Sequence, residues 1–121
     1  MENAAFDAHP ALIAQPRAAA DVARVIEYVR STGRTLAVRS GGHSVAGHST
    51  GDGVVVLDMG GMNRLEIDVG RSTASAGPGV RAAEYTKVAY EHGLATSFGD
   101  TGTVALGGLI LGGGIGWLAR K

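Results

Sequence analysis

Arg39-Ser40-Gly41-Gly42-His43-Ser44, directly after the short apolar run Leu36-Ala37-Val38, is the stretch on which the reading of this chain turns. Two adjacent glycines let successive backbone N–H groups converge in a concavity that accepts a diphosphate with no side chain in the way. His43 adds a ring nitrogen that is nucleophilic when neutral. On spacing alone, a turn bearing a surface histidine reads equally well, because Gly-Gly-His is common in loops.

Outward from this loop, the neighbouring segments predict a small α/β unit. Val22, Val25, Ile26 and Val29 recur at helical spacing, and Gly33 stops the pattern, which predicts a helix over about 18–32. Residues 35–39 read as a strand entering the loop, and 54–58 as a nearly all-apolar strand leaving it, of the kind buried on both faces of a parallel sheet. Leu65-Glu66-Ile67-Asp68-Val69 then alternates strictly and is followed by Gly70-Arg71, which predicts an antiparallel hairpin with 72–76. A second helix is expected over about 80–92, with Tyr85, Val88, Ala89 and His92 on one face, Gly93 at its end and Glu84 paired to Lys87. Residues 94–98 are expected to be extended, and 101–116 to form a glycine-rich coil or short helix. Tyr28, Tyr85 and Tyr90 read as packing residues, and Leu109, Ile110, Leu111, Trp117 and Leu118 as core around the glycine run 112–116.

Composition sets the limits. The 121 residues include 45% apolar ones, enough for one domain with its own core. Eleven basic residues balance eleven acidic ones along the whole chain, so nucleic acid and acidic membranes are not expected partners. There is no cysteine, hence no disulfide or thiolate metal site, which fits a reducing cytoplasm. Residues 1–7 show no signal-peptide pattern. The longest apolar run, Val104 to Ala119, is broken by six glycines and is shorter than the roughly 20 residues a bilayer requires. His43, His48 and Asp52 have no recognised metal-ligand spacing, and no metal is expected. Twenty glycines, crowded into three blocks, must serve turns or close approach to backbone or ligand.

Gly77-Pro78-Gly79-Val80-Arg81-Ala82 fits the dinucleotide fingerprint and precedes a helix, with Asp100 about 20 residues on. This keeps a nicotinamide-dependent dehydrogenase as a lesser alternative. Against it, Ser72-Thr73-Ala74-Ser75-Ala76 is polar for the buried first strand of such a unit. A tight strand-to-helix turn is the simpler reading.

Taken in order, Arg39 to Ser49, the strand ending at Asp58, Gly77-Pro78-Gly79, Thr103-Val104-Ala105-Leu106-Gly107-Gly108-Leu109 and Leu111-Gly112-Gly113-Gly114-Ile115-Gly116-Trp117-Leu118 resemble the FAD-binding (PCMH-type) domain of the vanillyl-alcohol-oxidase superfamily. Among its members, the berberine-bridge-enzyme-like flavin oxidoreductases are the most similar. The resemblance implies a two-lobed α+β FAD-binding domain, with a leader over 1–15, a first lobe over 16–60 and an incomplete second lobe over 61–121. It implies covalent attachment of FAD through His43. Cofactor contacts would come from Arg39, Ser40, Gly41, Gly42, Ser44, Gly47, His48, Asp58, Thr101, Thr103, Val104, Gly107, Gly108, Gly112, Gly113 and Gly116.

Thr101 stands where many relatives carry a cysteine that attaches the flavin a second time, so one link is expected here. The resemblance further implies the N-terminal piece of an oxidase or dehydrogenase that uses a small organic substrate and O₂. Its catalytic residues lie elsewhere, and the 121 residues alone would be inactive and weak or empty for FAD. A non-enzymatic, partner-binding module derived from this domain is the alternative. Apolar surface at 109–118 makes a homo-oligomer a further expectation.

Overall fold

The computed structural model describes residues 6–120. Its first half is a parallel sheet of three short strands, β1 (Leu12–Ala14), β2 (Leu36–Arg39) and β3 (Val55–Asp58), in the order β1-β3-β2. The central place of β3 explains its composition: Val55, Val56 and Leu57 are buried, and strands flank them on both edges. Between β1 and β2 runs α1 (Ala19–Thr32), which lies against β3 and buries Val29. Gly33 ends it in the left-handed conformation at φ 65°, as its place after the apolar pattern predicts. At the other end, the Asp21 carboxylate accepts from the Arg17 and Ala18 N–H groups at 3.1 Å each, satisfying donors that helix geometry leaves open.

The second half is an antiparallel hairpin with two helices. β4 (Leu65–Asp68) pairs with β5 (Thr73–Ala76), and the turn between them is fixed by Arg71 N–H donating to Asp68 Oδ1 at 3.0 Å. α2 (Ala82–Glu91) lies against β4 and buries Ala82 and Ala89. α3 (Leu106–Gly112) turns inward only Leu106 as a buried residue. An isolated bridge between Arg81 and Ala105, with Leu106 N–H to Val80 O at 2.8 Å and Ala82 N–H to Val104 O at 2.9 Å, lashes the start of α2 to the start of α3. The Pro78 carbonyl accepts from both Ser40 Oγ (2.5 Å) and Gly107 N–H (3.1 Å), joining the glycine loop after β2 to both segments.

Several expectations differ from this arrangement. Leu12–Ala14, read as leader, is an edge strand: Ala11 N–H donates to Val54 O at 2.9 Å, and the three residues pair in register with Val55, Val56 and Leu57. Residues 94–98 join neither sheet. Glu84 reaches back to the Arg81 N–H at 3.0 Å and caps α2. Tyr85 packs edge-on against Phe98, but Tyr90 is exposed. The core placement of the last segment is also corrected. Ile110, Leu111 and Trp117 are 71%, 90% and 89% exposed, because α3 spans only seven residues and no described residue packs over its outer face. No helix of the described residues is long and apolar enough to cross a membrane.

Candidate functional site

β2 and β3 run parallel, so their C-terminal ends open on the same side, where open α/β sheets bind ligands. From the end of β2 the chain enters the loop 40–54; from the end of β3 it enters a 3₁₀ turn, Met59–Gly61. Two cavities lie along these exits. The larger, about 640 Å³, is lined by Gly41, His43, Ser44, Val45 and Ala46 on one side. On the other side it is lined by Gly99, Asp100, Thr101, Val104 and Ala105, and by Gly108, Leu109 and the 112–115 run. The smaller, about 290 Å³, is lined by Arg39, Ser40, Gly41, Gly42, Asp58, Gly60, Gly79, Arg81 and Ala105. Gly41 and Ala105 border both, and they approach so closely that a Cβ on Gly41 would stand 2.9 Å from the Ala105 nitrogen.

The structure brings most of the expected site residues together. Arg39, Ser40, Gly41, Gly42 and Asp58 border the smaller cavity, while His43, Ser44, Thr101, Val104, Gly108, Gly112 and Gly113 border the larger. Others lie apart from both linings. His48 and Thr103 are exposed. Gly47 is buried where a Cβ would strike the Phe6 ring, Gly107 is wedged against Pro78 and Ser40, and Gly116 backs onto the Phe98 carbonyl. These three glycines therefore serve packing of the walls.

Sequence reasoning missed Ala105, Asp100 and Val45 in the larger cavity and Gly60, Gly79 and Arg81 in the smaller. Gly79 carried a signal, the Gly77-Pro78-Gly79 turn, which belongs to the FAD-domain resemblance and also fits the lesser dinucleotide alternative. That competing reading fails on topology: among the described residues β5 pairs only antiparallel with β4, whereas a dinucleotide unit needs a parallel strand before its glycine turn.

Electrostatically the smaller cavity is polar and paired. Asp58 Oδ2 accepts from Arg39 Nη2 at 3.0 Å and from Gln15 Nε2 at 3.3 Å, and Oδ1 accepts from Gly60 N–H at 3.1 Å. Burial raises the Asp58 carboxyl, but the Gly60 N–H, then the Arg39 and Gln15 hydrogen bonds and the Arg39 charge, outweigh it and hold the group below the ordinary aspartate value of 3.8.

An open parallel sheet whose strand ends carry a glycine loop, beside a second glycine segment that completes two adjoining cavities, is the architecture of a cofactor-binding α+β domain. A family model described as an FAD binding domain matches residues 10–121, and the chain belongs to that family. It is 42% identical over 112 residues to (R)-6-hydroxynicotine oxidase of Paenarthrobacter nicotinovorans, covering 93% of this chain and 24% of that enzyme. The crystal structure of 6-hydroxy-D-nicotine oxidase from Arthrobacter nicotinovorans superposes with a TM-score of 0.93 at 40% identity, over 96% of this chain and 26% of that one.

Berberine bridge enzyme with bound (S)-reticuline gives 0.85 at 32% identity, covering 90% and 23%. Glucooligosaccharide oxidase of Acremonium strictum, whose flavin is 6-S-cysteinyl, 8α-N1-histidyl FAD, gives 0.85 at 31%, covering 92% and 24%. The chain spans about a quarter of the length of the relatives it matches.

The cavities fit the cofactor of this family. The larger lies within the roughly 300–1,000 Å³ range of ligand pockets, and a Cβ on Gly108 or Gly112 would meet nothing within 4 Å, so those glycines leave its wall open for a flat ring. The smaller offers glycine backbone, the Ser40 loop and two arginines, a donor set suited to a diphosphate.

Proposed function

We propose that this chain is the FAD-binding portion of an oxidoreductase that oxidises a small organic substrate and passes the electrons to O₂, with its flavin linked through His43. One observation carries the reading: His43 borders the larger cavity opposite Gly108 and Gly112, and that cavity adjoins the arginine-bearing smaller one at Gly41 and Ala105. In this reading His43 would hold the flavin through a ring nitrogen, and making that bond would replace one C–H and one N–H and deliver two electrons and two protons to O₂. Thr101 borders the same cavity with a hydroxyl where a cysteine would give a second link, so His43 makes the only one.

Arg39, Ser40, Gly41 and Gly42 hold the diphosphate end, and Val104 and the 108–113 glycines wall the ring. When bound, FAD supplies the two-electron oxidation. The chain's own residues orient it and shield one face from water. For the exposed apolar residues of 110–117 we propose a second copy of the chain as the cover.

The test is to express these residues within the longest reading frame that contains them, precipitate the protein in acid, and measure flavin absorbance in the washed pellet. The expected result is one flavin per chain in the wild type and none in His43→Ala, which still takes up FAD reversibly. Colourless wild-type pellets from a flavin-loaded protein would overturn the link through His43.

A further inference from the structure

All three parallel strands end at one carboxylate. Gln15 follows β1 directly, Arg39 ends β2 and Asp58 ends β3, and the side chains of Gln15 and Arg39 both donate to Asp58 Oδ2. The other oxygen, Oδ1, accepts from the Gly60 N–H and opens the 3₁₀ turn. The Arg39 and Asp58 side chains are only 21% and 15% exposed, so removing either leaves a poorly solvated charge unmatched.

Two of the partners of Asp58, Arg39 and Gly60, lead to different rims of the smaller cavity. Arg39 is continuous with Ser40-Gly41-Gly42, whose Ser40 hydroxyl donates to Pro78 O. On the far side, the turn that Asp58 caps presents the Met59 and Gly60 carbonyls to Gly79, so close that a Cβ there would stand 2.6 Å from each oxygen. The Gly79 N–H in turn donates to Met62 O at 3.0 Å. A carboxylate would repel a diphosphate, and this one already has its charge met by Arg39.

We infer that Asp58 is a positioning residue for cofactor binding: acting through Arg39 and Gly60, it sets the separation between the Ser40–Gly42 loop and the Gly79 turn and so keeps the smaller cavity open to a diphosphate. The inference rests on the FAD reading, and it assigns Asp58 no contact with the cofactor. The charged groups around it are Arg39 on β2, Arg17 beside Gly61 on the approach to α1, and Arg81 on the opposite rim.

Amide hydrogen exchange on the 121-residue chain without cofactor tests the geometry. In Asp58→Asn, the Gly60, Gly79 and Gly107 amides are expected to exchange at least tenfold faster, while β4, β5 and α2 keep wild-type protection. Unchanged exchange at those three glycines overturns the inference. If the variant unfolds, the wild type decides. After correction for intrinsic rates, the same three amides should lose protection as pH falls below the ordinary aspartate range, before the rest of the chain does. Their loss only together with global unfolding overturns it.

FAD titration of the protein expressed in the longest reading frame that contains these residues, carrying His43→Ala throughout so that binding is reversible and followed by flavin fluorescence, tests the consequence. Asp58→Asn should weaken binding about tenfold, and Arg39→Gln/Asp58→Asn should weaken it by less than the product of the two single effects, the mark of coupled residues. Equal affinity in wild type and Asp58→Asn overturns the positioning role. If that longer protein takes no FAD, the cofactor reading is overturned, and the exchange result still decides the role of Asp58.

Discussion

Gly107 and Gly108 are neighbours on α3 with opposite reasons for lacking a side chain. A Cβ on Gly107 would lie 2.8 Å from Pro78 Cβ and 3.0 Å from both Pro78 O and Ser40 Oγ, so Gly107→Ala must push apart the joint that carries two hydrogen bonds. A loss of about 1–3 kcal/mol is expected, read as a lower urea midpoint. Gly108 faces open space, and alanine there should stabilise the FAD-free chain by up to about 1 kcal/mol through helix propensity. The same methyl intrudes on the larger cavity, so Gly108→Ala should weaken FAD binding in a fluorescence titration. A variant that gains stability and keeps full affinity would argue against flavin at that wall. At this scale the glycine blocks were legible because the residue type itself is the signal. Asp58 was legible as the end of a strand and, through the resemblance, as a cofactor contact; its partners at 15, 39 and 60 share no spacing that a linear pattern can reveal.

Among the elements, α1 shows how one side chain fixes a boundary. Asp21 reaches back to two N–H groups ahead of the helix, and Asp21→Ala should cost about 1 kcal/mol, measured by urea unfolding followed at 222 nm. α1, α2 and β3 were readable because each carries a periodic or continuous apolar signature long enough to register, whereas 101–116 reads only as coil or short helix. β1 was not: three residues between Pro10 and Pro16 are too few for a period, and only pairing with Val55–Leu57 makes them a strand. The hairpin is the intermediate case, where strict alternation at 65–69 predicted the antiparallel pair. Glu84 was assigned to Lys87 from helical spacing, yet it satisfies the Arg81 N–H, a donor that the start of any helix leaves open.

For the whole molecule, stability should depend on acid through the same carboxylate that shapes the cavity. The folded Asp58 carboxyl titrates below its unfolded value, so the folded state binds fewer protons in that window. Its contribution is fully present above the ordinary value of 3.8 and is lost as pH falls through the lowered one. Urea midpoints measured from about pH 6 down to about pH 2.5 should therefore decline less steeply in Asp58→Asn than in the wild type, from a lower starting stability. The apolar residues 110–117 should drive concentration-dependent association in sedimentation velocity, and Leu111→Ser with Trp117→Ser should shift the chain to monomer. The sequence left this run readable both as core and as apolar surface, because an apolar run reports what prefers burial and not whether a covering surface is present.

The seam between residues 41 and 105 also bears on timing. The two walls it joins are far apart in the sequence, and closing so long a loop is an entropic cost that contacts repay only late in folding. The imidazole at position 43 thus meets its cavity only after this closure. Attachment of a flavin would record that the chain had once completed its tertiary structure, since a chain that has never closed this seam cannot acquire it.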